Sequence, residues 1–263
     1  MIGEVVTRRR RTVATTNGRT VNTSLRQATT DAVISDSRLT GQRAGGWAAL
    51  LQAATFIVGF AIYGTVIADG DYGSLSIDPA THVAFLLDNQ LVLHVWYAVI
   101  YLVFGGALVV LAPAIHDRVR IGAPVMARVG TIFGLIWATL MFAVGMTAIV
   151  GGDVVATLAP IDGDRAEAAW STTRLIMEGM GGGIEIVGGL WIGLVSVAAL
   201  RSRTLPVWLN RTGVATGVAG IATTSLLAAE VTTSLFGLGC IVWFTWLGIH
   251  LVRGTRAPTS SGR

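Results

Sequence analysis

Apolar residues run along this chain in long blocks, separated by short stretches where arginine, aspartate, glycine and proline collect. Six blocks stand out, near residues 47–67, 91–115, 129–150, 175–200, 213–229 and 231–252. At 1.5 Å per residue, blocks of about 17–26 residues suit a hydrocarbon core of about 30 Å. The pattern predicts an all-α fold, a polytopic transmembrane helix bundle of six spans. The block at 213–229 is the shortest. Two shorter helices are expected between the blocks. Asp78-Pro79 reads as an N-cap followed by proline at the first helical position, opening a helix to about Asp88. Asp162 and Asp164 read as the start of another, ahead of the fourth span.

The polar stretches alternate in sign. Arg118, Arg120 and Arg128 lie between the second and third blocks, and Arg201, Arg203 and Arg211 between the fourth and fifth. Eight further arginines precede residue 47, and Arg253, Arg256 and Arg263 follow the last block. The other loops hold Asp69, Asp71, Asp78, Asp88, Asp153, Asp162, Asp164 and Glu167 against only Arg165 and Arg174. Basic loops face the cytoplasm. Six spans with both termini cytoplasmic place 17 of the 19 arginines on that side. Trp47, Trp208 and Trp246 then fall at the inner interface.

Composition agrees with this reading. Of 263 residues, 52% are hydrophobic and 13% charged, with mean hydropathy +0.66. A soluble domain carries roughly a quarter charged residues. The pI near 10 comes from arginine placed by topology, so it does not call for nucleic acid, although the basic tail can meet anionic headgroups. No apolar segment of signal-peptide type follows Arg8–Arg11 for over thirty residues. The expected organisation is a disordered Arg-, Ser- and Thr-rich cytoplasmic tail over 1–45, the transmembrane domain over 46–254 and a short C-terminal tail over 255–263. Three spans open on Arg43-Ala44-Gly45, Arg128-Val129-Gly130 and Arg211-Thr212-Gly213, 85 and 83 residues apart. Three helical hairpins and chance recurrence of arginine and glycine are both consistent with that spacing.

Candidate chemistry concentrates in the fourth block, where "IMEGMGGGIEIVGGLWIGL" (176–194) carries two glutamates amid seven glycines. In a continuous helix Glu178 and Glu185 differ by only about 20° in azimuth. Gly181, Gly182 and Gly189 share their face, and Trp191 points away. Such a face lets a neighbouring helix approach closely. The acids then face protein, with Glu178 near the outer boundary and Glu185 about 10 Å deeper. On the second block Gln90, His94, Tyr97 and Tyr101 share one face. Counted from the outer ends, His94 is level with Glu178 and Tyr101 with Glu185. A polar cluster in the outer half of the bundle is expected from these six residues. Two readings stay open: a site for a small ligand, a cation or a proton relay, and a set of mutually satisfied groups that fixes helix register. Thr232, Thr233 and Ser234, beside Glu230, either line the same opening or bond their own helix backbone.

Other chemistries find little footing. Cys240 is the single cysteine, which excludes an intrachain disulfide, a CxxC pair and cysteine-based zinc within one chain. His116 and His250 fall near the inner boundary and are expected to be interfacial rather than haem ligands. No cofactor and no metal are expected. G-x-x-x-x-G-K-[ST], G-x-S-x-G and H-E-x-x-H are all absent.

The second half resembles a bacterial family of six-helix integral membrane proteins defined as a domain of unknown function. The resemblance lies in "GGLWIGLVSVAALRSRTLPVWL" (188–209), "LNRTGVATGVAGI" (209–221) and "VWFTWLGIHLVRG" (242–254), and more loosely in "RAGGWAALL" (43–51). It covers about half the chain and implies six spans without an assigned activity or catalytic residues. The expectation is therefore a multi-pass protein of the bacterial inner membrane that binds or carries a small ligand, cation or proton. The alternative is an accessory subunit packed against a membrane protein partner or another copy of itself. A membrane enzyme using His94 and a glutamate as acid and base is the least supported, since no nucleophile accompanies them.

Overall fold

The computed structural model describes residues 39–68, 78–182, 185–225 and 229–254. Of the tail expected over 1–45, residues 1–38 lie outside the described residues and 39–45 are helical; the loop over 69–77 and the C-terminal residues 255–263 also lie outside them. One compact unit runs from Arg43 to Arg263; of the other, Met1–Gln42, only 39–42 are described, as helix. The described residues are all-helical, without strands. Five helices, with the fourth counted through its interruption, are long and apolar enough to cross a membrane, the make-up of a membrane protein.

The helices are α1 (Leu39–Ile67), α2 (Pro79–Asp88), α3 (Gln90–Val119), α4 (Pro124–Leu158), α5 (Gly163–Met177), α6 (Ile186–Ser202), α7 (Val207–Ala222) and α8 (Ala229–Arg253). α2 begins where expected, but Asp78 makes no side-chain cap; proline at the first position sets the start. Asp162 does cap α5, accepting a bond from the Arg165 N–H at 3.1 Å.

Several boundaries differ from the apolar blocks, because hydropathy marks what lipid tolerates and not where hydrogen bonding stops. α1 begins eight residues before the block at 47. α4 outruns its block at both ends, to 35 residues. α7 starts six residues early, after extended Pro206, and stops at Ala222. There Thr223 and Thr224 turn their hydroxyls onto the Gly220 and Ile221 carbonyls. At 16 residues α7 is not among the five helices long enough to cross a membrane.

The fourth block departs furthest from expectation. It is not one helix. α5 passes into a π-helical stretch, Glu178–Gly182, and Gly181 takes φ 117° and ψ 21°. Only glycine adopts such a backbone without strain. The chain re-enters a helix after Glu185. The face shared by Glu178 and Glu185 in a continuous helix is therefore corrected, because the break resets their relative azimuth.

The core is aromatic in one half of the bundle. Phe104 and Trp137 lie 4.9 Å apart, Trp191 and Trp243 5.7 Å, and Trp243 and Phe244 5.2 Å, mostly in edge or tilted contact. Trp191 is fully buried in this cluster. Around it the helices meet at glycines. A Cβ on Gly189 would lie 2.6 Å from the Gly217 carbonyl oxygen, and one on Gly217 would lie 2.7 Å from the Gly189 oxygen, so α6 and α7 touch backbone to backbone. Gly45, Gly130 and Gly213, the glycines of the three recurring openings, each face a neighbouring helix: Ala114, Val195, and Ser196 with Trp243. A second, smaller core gathers Leu86, Leu93, Val144, Val155, Ala166 and Trp170 from α2 to α5.

Candidate functional site

The interruption between α5 and α6 organises the site. A broken helix leaves carbonyls unsatisfied at one stub and N–H groups at the other. Within a membrane such backbone persists only against protein or a cavity. Here the neighbours are small or flexible. A Cβ at Gly181 would touch only the Met141 methyl of α4, at 3.6 Å. Gly181 is thus a conformational glycine and not the packing glycine expected. Gly189 does pack, against α7; the surroundings of Gly182 lie outside the described residues.

Glu185 occupies the position before α6. Its N–H donates to the Thr223 hydroxyl at 2.9 Å, and that hydroxyl donates to the Gly220 carbonyl at 2.7 Å. α7 therefore anchors the restart of the fourth span. The Glu185 carboxylate caps nothing. It lies within electrostatic reach of Glu178, of the Tyr101 hydroxyl and of the Cys240 thiol. Tyr101 also senses Glu178 and Tyr97. The two tyrosine rings stack, with centroids 6.1 Å apart and planes 16° from parallel.

Tyr101 lies in a second irregular stretch, where α3 is π-helical over Ala98–Val103. π-bulges insert one residue into a helix and recur at functional sites. Gly145 of α4 makes room for it; a Cβ there would sit 2.8 Å from Tyr101 Cβ. On the outer flank, Glu178 interacts with Arg174, one turn earlier. Arg174 reaches α2, where its guanidinium meets the buried His82 ring at 2.9 Å from Nε2.

The six residues read from sequence thus divide. The Tyr97 ring stacks on Tyr101, and Tyr101 lies within electrostatic reach of Glu178 and Glu185. Gln90 and His94 are exposed, and neither hydrogen-bonds to either glutamate. They line a cleft between α3 and α4 with Tyr97 and Asp153. Thr233 and Ser234 are exposed, and the Glu230 side chain lies outside the described residues. The distant histidines have local partners. His116 Nδ1 bonds the Thr131 hydroxyl at 2.9 Å, and His250 Nε2 lies 3.3 Å from the Arg118 guanidinium.

Thr223, Arg174, His82, Met141 and Cys240 were not picked out as members of the site. Arg174 at four residues before Glu178 is a spacing the sequence displays. Thr223 and Met141 carry no such signal, because their role depends on where the fourth span breaks. No protein family, no curated protein and no solved structure matches the chain. The resemblance at 188–209, 209–221 and 242–254 therefore rests on those residues alone.

No group of three or more His, Cys, Asp or Glu suited to a metal ion exists among the described residues. What the break offers is different. Carboxylates and phenol oxygens are hard oxygen donors, suited to a proton or a desolvated monovalent cation.

Proposed function

We propose that the chain is a six-span protein of the bacterial inner membrane, with both termini cytoplasmic, that binds or carries a cation, a proton or a small ligand at the break in its fourth span. The observation that carries this reading is Glu185, uncapped at the start of α6, beside Glu178 and Tyr101. Breaking a membrane helix costs backbone hydrogen bonds, and an acid at that depth costs more. Both together, opposite a π-bulge, fit a site better than a register device, which continuous helices would serve. α7 is the sixth span in this reading, lying between α6 and α8.

The topology draws on the loops. Arg118 donates to the Thr204 carbonyl at 3.3 Å and meets His250, so the basic ends of α3, of the α6–α7 connection and of α8 share one side of the bundle. That side is cytoplasmic by the positive-inside rule.

The test is thermal stability of the purified protein against a panel of monovalent cations, pH values and small polar ligands. Binding to the folded state raises the melting temperature. A ligand that stabilises the parent and has no effect on Glu185→Gln supports the site. Unchanged melting across the panel overturns it. The accessory-subunit alternative draws on small-residue faces, and those of Gly189, Gly193, Gly217 and Gly220 are occupied within the chain. Co-purification of a stoichiometric membrane partner would revive it.

A further inference from the structure

An open groove of about 460 Å³ lies between the last turns of α4 and the first turn of α5. Its floor is α4, where Val150, Val154 and Leu158 recur at four-residue steps with Thr157 beside them. The apolar line continues down the same helix to Met146, one step before Val150. Met146, Val150 and Val154 are 54%, 60% and 42% exposed, so the line faces outward from the bundle. Asp153 and Arg165 border the groove with opposite charges, and both are exposed. No ion pair joins them among the described residues, and Arg165 uses only its backbone N–H, in the cap of α5. The Thr157 hydroxyl donates to the Asp153 carbonyl at 2.9 Å, which leaves its lone pairs as a further acceptor. The apolar block of this helix ends at Val150, and Asp153 lies about 4.5 Å beyond it along the axis. The groove therefore crosses from the level of acyl chains to that of headgroups.

Resting on the topology proposed above, we infer that this groove holds one outer-leaflet phospholipid whose zwitterionic headgroup carries a primary ammonium, as in phosphatidylethanolamine. The Arg165 guanidinium pairs with the phosphate, and Asp153 and Thr157 accept from the ammonium. One acyl chain lies along Val154, Val150 and Met146. Two observations select the headgroup. Arg165 is the single cation lining the groove, while Asp153 lines it too and Asp162 and Asp164 stand at the start of α5, so a headgroup of net negative charge is repelled. No aromatic ring lines the groove. A choline headgroup donates no hydrogen bond to a carboxylate and is held best over such a ring, whereas a primary ammonium makes charge-assisted bonds to the oxygens present.

The experiment reconstitutes the full chain in vesicles of equal parts phosphatidylethanolamine, phosphatidylcholine and phosphatidylglycerol. The protein is then extracted in mild detergent, and the lipid retained per chain is counted by native mass spectrometry. One phosphatidylethanolamine should be retained, with several-fold preference over the other two. Asp153→Asn should erase the preference over phosphatidylcholine, and Arg165→Gln should weaken retention of both several-fold. Both side chains are exposed, so these variants should melt like the parent. Equal retention of the three lipids by the parent overturns the inference, as does a preference for phosphatidylglycerol or one that both variants leave unchanged. Val154→Trp, which fills the groove, is a further variant; it should release the lipid, and full retention counts against the groove. Glu185→Gln should leave the lipid preference intact, so failure at the break in the fourth span and failure of the groove are read separately. The leaflet has its own test. Arg165→Cys in a Cys240→Ala background should react with a membrane-impermeant thiol reagent added outside cells, and reaction from the inner side alone would overturn the outer-leaflet assignment.

Discussion

The two halves of the bundle solve the same packing problem in opposite ways. Around Trp137, Trp191 and Trp243 the helices are regular, glycines bring backbones into contact, and the spaces left are filled with rings. Around Glu185 the helices are irregular: a π-bulge in α3, a π-helical stretch at the end of α5 and a glycine in a backbone state closed to other residues. The first region is held by shape. The second is held by conformation and a few polar contacts, with small or flexible residues, Gly145 and Met141, facing the irregular turns. Two of the three π-helical stretches among the described residues hold Tyr101 and Glu178, and the third, Tyr63–Ile67, ends α1.

Substitutions in each region test that contrast. The largest effect is expected from Trp191→Ala, which empties the centre of the ring cluster and should cost about 3–5 kcal/mol by thermal or denaturant unfolding. Gly217→Ala follows, at about 2–3 kcal/mol, because the new methyl meets the backbone of α6 and nothing there can rotate aside. In the irregular half, Gly181→Ala should cost about 1–2 kcal/mol although the space for a methyl exists. Its cost would be conformational, so it should also abolish ligand-dependent stabilisation. Should Gly181→Ala prove neutral, the break is not a fixed feature and the contrast collapses. Smallest is Thr223→Val, at about 1 kcal/mol, which removes the bond to the Glu185 N–H and joins the two halves less firmly. A Thr223→Val effect larger than that of Trp191→Ala would mean that the polar joint, and not the rings, holds the bundle.

Much of the regular half was legible in the sequence. Five of the apolar blocks fall in helices long and apolar enough to cross a membrane. The glycines after Arg43, Arg128 and Arg211, which the sequence showed only as a recurrence, each face a neighbouring helix. The irregular half was legible in its residues but not in its geometry. The sequence named Glu178, Glu185, Tyr97 and Tyr101; the two tyrosine rings stack, and Tyr101 lies within electrostatic reach of both acids. A continuous helix would set the two acids on one face, and Gly181 interrupts it. Four consecutive turns of glycine-rich apolar chain look alike whether they run on or break, because the decision is made by what packs alongside. Met141 and Thr223 make it here, from 40 and 42 residues away in sequence respectively. Trp191 was placed away from the acids, but only the structure shows that its position is the centre of the core.

The brevity of α7 bears on the lipid around the protein. A helix of 16 residues is about 24 Å long, shorter than a hydrocarbon core of about 30 Å, whereas the 35 residues of α4 measure about 52 Å. In the six-span reading proposed above, the rim of the bundle is uneven: exposed Val218 and Ile221 on α7 meet acyl chains that must shorten or tilt, while α4 is longer than the core is thick. Such a rim favours shorter or more disordered lipids beside α7 and sets up a thickness gradient across the protein. The bilayer's own elastic resistance would then press on the α7 ends, one of which carries Thr223 and, through it, the start of α6.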